Sequence, residues 1–536
     1  MKEAARKYGA LVLALIAVLG VCLLFSVRKS GMFIDEIYTY GLSNSHFAPF
    51  LADMKDGDLV DKVITRQDLL DYVTVNDGEG FDFASVYDNQ VRDVHPPLYY
   101  WLFNIVSSLT PNVFSKWTGL ALDLVLYVGC LLLLWRLVYE LYDSRDIAAA
   151  AVILYGISGL GLSTMLMIRM YVLMTLWTLL LALLVARQLR EPRPLRDVWI
   201  GLCILLGLLT QYYFVFYAFF LCAAYVLLRL GQKRWKDAGR FALCAFAGVG
   251  LLVLLFPAAI RHLTADKLVS GGNALEQLST LSQYRTRLVF FYHEARHGLK
   301  IAVFVSLFAL LGLLLCFKRL RADKGDRHQE KDSLLILVPA FVTFILVALI
   351  SPVDEQRYIY NLAPLFVAAA CLLLYLLRRT LGDYPGRELW QKAALALMLA
   401  AAVLQVKSTP PKYLYPQAPD YYDSYAVYNE LAEEHREDPV LYLTDNYSAP
   451  VTQDLGQLLV FDDLLITNDP DSPALDRYLE EAGYPEECVV YLDVSAFWGS
   501  GYDPDQMLPA LLDSTEYNSW QPLYANQLSA TYLLSK

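Results

Sequence analysis

The stretch LVLALIAVLGVCLLFSVRKSGMFIDEIYTY, Leu11–Tyr40, decides how the whole chain is read. From about residue 8 to 27 it carries no charge, and about 20 apolar residues suffice to cross a bilayer. The apolar run is too long for the hydrophobic region of a secretory signal, and no small-residue cleavage site follows it. It reads as an uncleaved anchor, closed by Arg28 and Lys29, with two adjacent carboxylates, Asp35 and Glu36, within ten residues of the membrane surface.

Working outward, the same measure marks further spans near 113–135, 147–162, 170–186, 198–212, 213–230, 241–257, 300–317, 333–350, 358–377 and 391–406, about eleven in all. The composition agrees. The 536 residues are 56% hydrophobic and only 18% charged, against about 25% in a soluble chain. A soluble enzyme, a disordered chain and a nucleic-acid binder are excluded, the last because it needs a basic face. The fold class expected is a polytopic α-helical membrane protein.

Loop charge gives the orientation. Arg187, Arg190, Arg193 and Arg196 share one connection, and Lys233, Arg234, Lys236 and Arg240 another. Lys318, Arg319, Arg321, Lys324 and Arg327 fill a third, and Arg378, Arg379, Arg387 and Lys392 a fourth. With eleven spans these connections and the basic N-terminus (Lys2, Arg6, Lys7) share the cytoplasmic side. Polar stretches near 28–97, near 258–299 and from 407 onward then face outward, and in the first of them Thr65 with Asp68 can start a helix through Leu-Leu-Asp-Tyr-Val. Arg28 and Lys29 are the local breach of the rule.

The net charge of −11 is unevenly spread. From Lys407 to Lys536 there are 23 Asp and Glu against 5 Lys and Arg, a balance of −18, which leaves +7 for the first 406 residues. The expected division is therefore a membrane domain at 1–406 and an acidic extracytoplasmic domain at 407–536. In the tail, VLYLT (440–444) and CVVYLDV (488–494) read as strands. Ser472-Pro473 starts a helix that Gly483 ends, and Asp423 or Ser424 caps another running to about His435. Alternating strands and helices indicate a small α/β domain. Seven cysteines lie in apolar spans and Cys488 stands alone in the tail, so a disulfide framework is not expected.

Two outer-loop elements carry chemistry. One is Asp35-Glu36, which taken alone reads more readily as acids near a helix N-terminus. The other is Arg92-Asp93-Val-His95-Pro96-Pro97-Leu-Tyr99-Tyr100-Trp101. An aromatic belt opened by a Pro-Pro turn accounts for the second half of that motif, but not for Asp93 and His95 just before it.

Asp-Glu after the first span, followed about 60 residues later by Asp-x-His-Pro-Pro-Leu, resembles the protein O-mannosyltransferases and aminoarabinose transferases, members of the C-type (GT-C) glycosyltransferases. Arg169-Met-Tyr171 is similar to that family's Arg-x-Tyr at an outer turn, and Arg357-Tyr358 to the Arg-Tyr entering a late span. Gln211-Tyr212-Tyr213-Phe214 stands where relatives often have His-Tyr-Phe. The resemblance covers about residues 8–380 and does not extend to the tail.

The resemblance implies an enzyme that takes a sugar from a polyprenyl-phosphate carrier at the outer membrane face and passes it, with inversion, to an acceptor hydroxyl. The attacking hydroxyl needs a carboxylate base. Asp35 fits that role, with Glu36 orienting the acceptor or holding the loop. Asp93, His95 and Tyr99 are expected to bind acceptor or donor. Arg169, Tyr171, Arg357 and Tyr358 are expected to hold the donor phosphate, arginine being suited by its planar fork. No Cys and His metal cluster is evident, although a divalent cation on Asp35, Glu36 and Asp93 is compatible with the chemistry. The outer loop with Arg261, His262, Lys267, Arg285, Arg287, His293, Arg296 and His297 reads first as an interfacial amphipathic segment, with contact to a phosphate-bearing donor or an anionic acceptor as the alternative. The alternative function is a transporter or flippase for a lipid-linked saccharide. It calls for ionisable groups at mid-bilayer and repeated halves. Only Asp123 stands out inside a span, and no repeat is evident. The acceptor is protein, lipid or cell-envelope polymer; nucleic acid is excluded.

Overall fold

A computed structural model describes residues 2–264, 283–315, 328–351, 354–382, 404, 407, 419–445, 448–495, 501–526 and 528–536. It resolves into two compact units, each assembled from separated segments. The first comprises Met1–Arg28, Val94–Tyr99 and Leu120–Gln417; the second comprises Lys29–Asp93, Tyr100–Gly119 and Ala418–Lys536.

The first unit is helical. Among the described residues seven helices are long and apolar enough to cross a membrane, or up to nine when each of two bent pairs is taken as one span. This is fewer than the eleven expected, for two reasons. The run near 198–212 is a helix of only 15 residues, Pro194–Leu208. The run near 391–406 lies outside the described residues apart from Leu404. The short helix Pro194–Leu208 packs tightly on Trp235–Leu255. A Cβ on Gly248 would lie 2.3 Å from the Gly201 carbonyl oxygen, so the crossing requires glycine there, as in other close membrane helix pairs.

Both bends position polar side chains. Arg145–Gly156 is followed at 64° by Gly159–Leu166, restarted by Ser158, whose hydroxyl oxygen accepts the Gly161 amide at 3.0 Å. That second helix ends just before Arg169. Tyr284–Gly298 meets the apolar helix Lys300–Leu315 at 87°. The basic segment is therefore a helix set across the direction of a candidate span, the geometry an interfacial segment needs.

The second unit holds a six-stranded sheet in the order β1-β3-β2-β4-β6-β5, with β1 Lys62–Thr65, β2 Val440–Leu443, β3 Asp463–Thr467, β4 Glu487–Asp493, β5 Ser519–Ala525 and β6 Ser529–Ser535. The central strands β3, β2 and β4 are parallel, joined by helices Ser448–Leu458 and Pro473–Glu481; β1, β6 and β5 are added antiparallel. This is the α/β texture expected of the tail, with one addition. Strand β1 comes from the segment after the first span and pairs Ile64 with Leu464, so the sheet is not built from the tail alone. Asp61 reinforces the join by accepting the hydroxyls of Thr467 at 2.7 Å and Ser472 at 2.8 Å.

Local signals are borne out where backbone chemistry alone decides them. Thr65 and Asp68 form a reciprocal capping box at the start of Arg66–Val73. Burial opposes the Asp68 charge, but the Thr65 amide and hydroxyl and Lys55 at 2.9 Å outweigh it and hold the carboxyl below its ordinary value. Ser472 caps Pro473–Glu481, and Gly483 follows with φ +77°. The first tail helix starts at Pro419, earlier than the Asp423 or Ser424 cap expected, because proline also suits a first helical turn. One face of the sheet is covered by Leu475, Leu479, Leu508 and Leu511. On the other face the Ser448–Leu458 helix contributes Asp454, which accepts from Tyr442, Ser529 and Asn526.

Candidate functional site

In the second unit, Ile34–Asn44 begins directly at the acid pair. Asp35 lies half-buried in the first helical turn. Glu36 is fully buried, and both its oxygens are taken by the Lys29 ammonium at 2.8 and 2.9 Å; one also accepts the Phe33 amide at 2.7 Å. Lys29, the apparent breach of the charge rule, is thus the counter-ion of Glu36. The pair closes the turn between the first span and the helix that carries Asp35. Of the acids compatible with a divalent cation, Glu36 is already committed to an ammonium.

The Asp35 helix is fixed along its length. Tyr40 donates to the Ser115 carbonyl at 2.6 Å and packs edge-on against Phe103 and Phe114. Asn89, on helix Phe83–Arg92, donates to the Leu42 and Ser45 carbonyls. Asp93 ends that same helix, its amide bonded to the Asn89 carbonyl. Helix Ser448–Leu458 from the tail packs directly against Ile34–Asn44.

In the first unit, the remainder of the motif is anchored. His95 is half-buried, Pro96 and Pro97 are buried, and the Leu98 amide bonds to the Leu209 carbonyl at 3.0 Å. The Tyr99 hydroxyl donates to Asp123 at 2.8 Å, both side chains being buried. This accounts for the acid that stood out inside a span.

The phosphate-binding candidates come together. Arg169 occupies the short turn between Gly159–Leu166 and Tyr171–Arg190 and is 3% exposed. Arg357 and Tyr358 lie on the 3₁₀ turn Gln356–Leu362, where the Arg357 guanidinium stands over the Tyr358 ring and pairs with Glu355. Both arginines lie near enough to Tyr358 to act on its hydroxyl electrostatically. Tyr171 meets Tyr360 edge-on at 5.8 Å.

Two residues beyond the sequence assignment join this cluster. Tyr213 lies 4.9 Å from the Tyr358 ring and is coupled electrostatically to Arg287. Arg287 is buried, donates to the Leu349 carbonyl at 3.3 Å and faces Asp354 at 3.9 Å. Its neighbours Arg285 and Arg296 are exposed, so the loop read chiefly as interfacial contributes one inward arginine. No local signal separates it from them. Next to Gln211, His262 Nδ1 lies 3.0 Å from the Tyr212 hydroxyl.

Chemically, the first unit offers a tyrosine-lined cluster of three guanidinium groups, and the second offers a half-buried carboxylate on a rigid helix. Residues 94–260 match the family described as dolichyl-phosphate-mannose-protein mannosyltransferase. No curated protein matches in sequence. Among solved structures, apo ArnT from Cupriavidus metallidurans aligns with a TM-score of 0.50 at 11% identity over 98% of both chains. ArnT from the same organism bound to undecaprenyl phosphate gives 0.49 at 10% identity, again over 98% of both chains. The archaeal oligosaccharyltransferase AglB from Archaeoglobus fulgidus, in complex with an inhibitory peptide and a dolichol-phosphate, gives 0.47 at 12%, covering 91% of this chain and 70% of its own. The chain is a multi-pass membrane protein that matches a mannosyltransferase family over residues 94–260 and is similar in fold to apo ArnT.

Proposed function

We propose that the protein is an inverting glycosyltransferase that moves a sugar from a polyprenyl-phosphate-linked donor to an acceptor hydroxyl at the outer face of the cytoplasmic membrane. The N-terminus is on the cytoplasmic side and the acidic unit outside. The observation that carries the reading is the meeting of Arg169 and Arg357 at Tyr358, two arginines far apart in sequence that the resemblance named for one phosphate. The family match over 94–260, to enzymes described by a dolichyl-phosphate sugar donor, supports the same donor class.

In the reaction the acceptor oxygen attacks the anomeric carbon and forms the new glycosidic bond. The bond from that carbon to the phosphate oxygen breaks, and the electron pair leaves with the lipid phosphate. Asp35 takes the acceptor proton. The guanidinium groups of Arg169 and Arg357, joined by Arg287, carry the charge that grows on the leaving phosphate. Glu36 holds the Asp35 turn through Lys29, and Tyr99 fixes the His95 segment through Asp123. Asp93 and His95 flank that segment and bind acceptor or donor.

Membranes carrying the Asp35→Asn variant and a polyprenyl-phospho-sugar test the assignment. Loss of the base lowers transfer by about 10²–10⁴-fold while the protein inserts normally. Turnover equal to the unaltered protein excludes Asp35 as the base. Mass spectrometry of the purified protein identifies the donor class directly, a co-purifying polyprenyl phosphate being the expected result.

A further inference from the structure

We infer that the acidic unit holds a divalent metal ion of the zinc class on His435, Asp438 and Glu487. His435 follows the C-terminal end of helix Pro419–Glu434, Asp438 ends the turn leading into β2, and Glu487 opens β4. The His435 Nδ1 lies 2.8 Å from an Asp438 carboxylate oxygen and 3.7 Å from a Glu487 oxygen, and all three ligand atoms fall within 4.8 Å of one another.

In a tetrahedral site with metal–ligand bonds of about 2.1 Å, neighbouring ligand atoms are roughly 3.4 Å apart. The observed separations straddle that value. Side-chain adjustments of about 1 Å or less at each ligand atom bring all three to that spacing. The backbone is held on both sides: Asp438 N bonds to the His435 carbonyl, and Val489 N, two residues beyond Glu487, bonds to the Pro439 carbonyl.

Charge argues for a metal over a simple ion pair. Even a protonated His435 leaves two carboxylates with one surplus negative charge. Among the described residues neither Asp438 nor Glu487 pairs with Lys or Arg: Arg436 is engaged by Glu433 and Glu437, and Lys536 by Glu516. A dication balances both acids. The mixed nitrogen and oxygen set favours zinc, or manganese in its place, over calcium, which prefers all-oxygen shells of six or more ligands. The side chains are 14%, 24% and 44% exposed, so an ion has access and a water can complete the shell. Binding replaces the Nδ1 proton and releases it. The ion would tie the helix carrying Tyr428, which stacks on Tyr524 at 3.8 Å, to the edge of β4. That is a structural role, independent of the sugar-transfer chemistry.

The test uses the full-length protein in detergent, stripped with EDTA and titrated with zinc chloride. One zinc per chain is expected, with proton release and a higher Tm. Glu487→Gln, conservative and half-exposed, is expected to weaken binding at least about tenfold, and His435→Ala to abolish it. His297→Ala, at the other histidine-bearing region, is expected to leave it unchanged. The inference is overturned if the unaltered protein retains no zinc, if His435→Ala retains it equally, or if calcium binds as tightly, since the imidazole is then not a ligand.

Discussion

Substituting Lys29 and Glu36 separately and together distinguishes a residue that holds the site from one that works in it. Both side chains are fully buried, and the ammonium reaches both carboxylate oxygens. Removing one partner of a buried pair leaves the other charge in a low-dielectric surround and typically costs about 3–5 kcal/mol. Lys29→Met and Glu36→Gln are each expected to destabilise the second unit on that scale. Glu36→Gln retains an acceptor for the Phe33 amide, so its cost reflects charge and not a lost cap. The double variant buries no charge and is expected to return to within about 1–2 kcal/mol of the unaltered protein, giving a coupling energy of several kcal/mol.

Denaturant unfolding in detergent measures the cycle, and sugar transfer in proteoliposomes reads the function. Near-normal transfer by the double variant makes Glu36 a positioning residue. Single effects that simply add refute the buried pair. A double variant that is stable but inactive refutes the positioning role and returns Glu36 to contact with the acceptor.

Two further outcomes follow from buried carboxylates. Asp454 is pushed up to about 6, chiefly by burial and in part by Asp493, against hydrogen bonds from Ser529, Tyr442 and Asn526. A folded value above the unfolded one gives a stabilising contribution that is complete below about pH 4 and lost as pH rises through 6, about 3 kcal/mol in all. Hydrogen exchange of Ser448–Leu458 should quicken over that interval, and Asp454→Asn should remove the pH dependence; an unchanged profile in the variant refutes it. Tyr99→Phe takes a donor from buried Asp123 and is expected to cost about 1.5–3 kcal/mol in thermal unfolding, with a shift below about 0.5 kcal/mol as the refuting result.

What the sequence made legible is what neighbouring residues decide among themselves. The first span, the Thr65–Asp68 box and the Ser472-Pro473 start of a helix ended by Gly483 are each written within a few positions. Arg169 and Arg357 were singled out only by the resemblance, through Arg169-Met170-Tyr171 and Arg357-Tyr358, and not by any local pattern. Lys29 was read as a breach because its partner's burial is a property of packing. Strand β1 is four residues long, and its partner lies about 400 residues away, so no local period marks it. Arg287 has the same composition around it as Arg285 and Arg296; only the helix direction turns one of them inward.

The charge asymmetry takes on a different meaning once the sheet is traced. An appended acidic domain could be cut away near Lys407, and any lost activity assigned to acceptor recognition. Here that cut removes five of six strands, leaves Lys62–Thr65 without Asp463–Thr467 to pair with, and strips helix Ser448–Leu458 from the helix that carries Asp35. Lost transfer after truncation therefore reports the collapse of the Asp35 support, whatever the tail recognises. Exposed acids, such as Glu437 at 93% side-chain exposure, are the positions where charge can be altered with least effect on the fold. If neutralising such residues changes the choice of acceptor while leaving Tm in place, the negative field of the unit selects the acceptor. If it changes neither, the surface charge is only solvation.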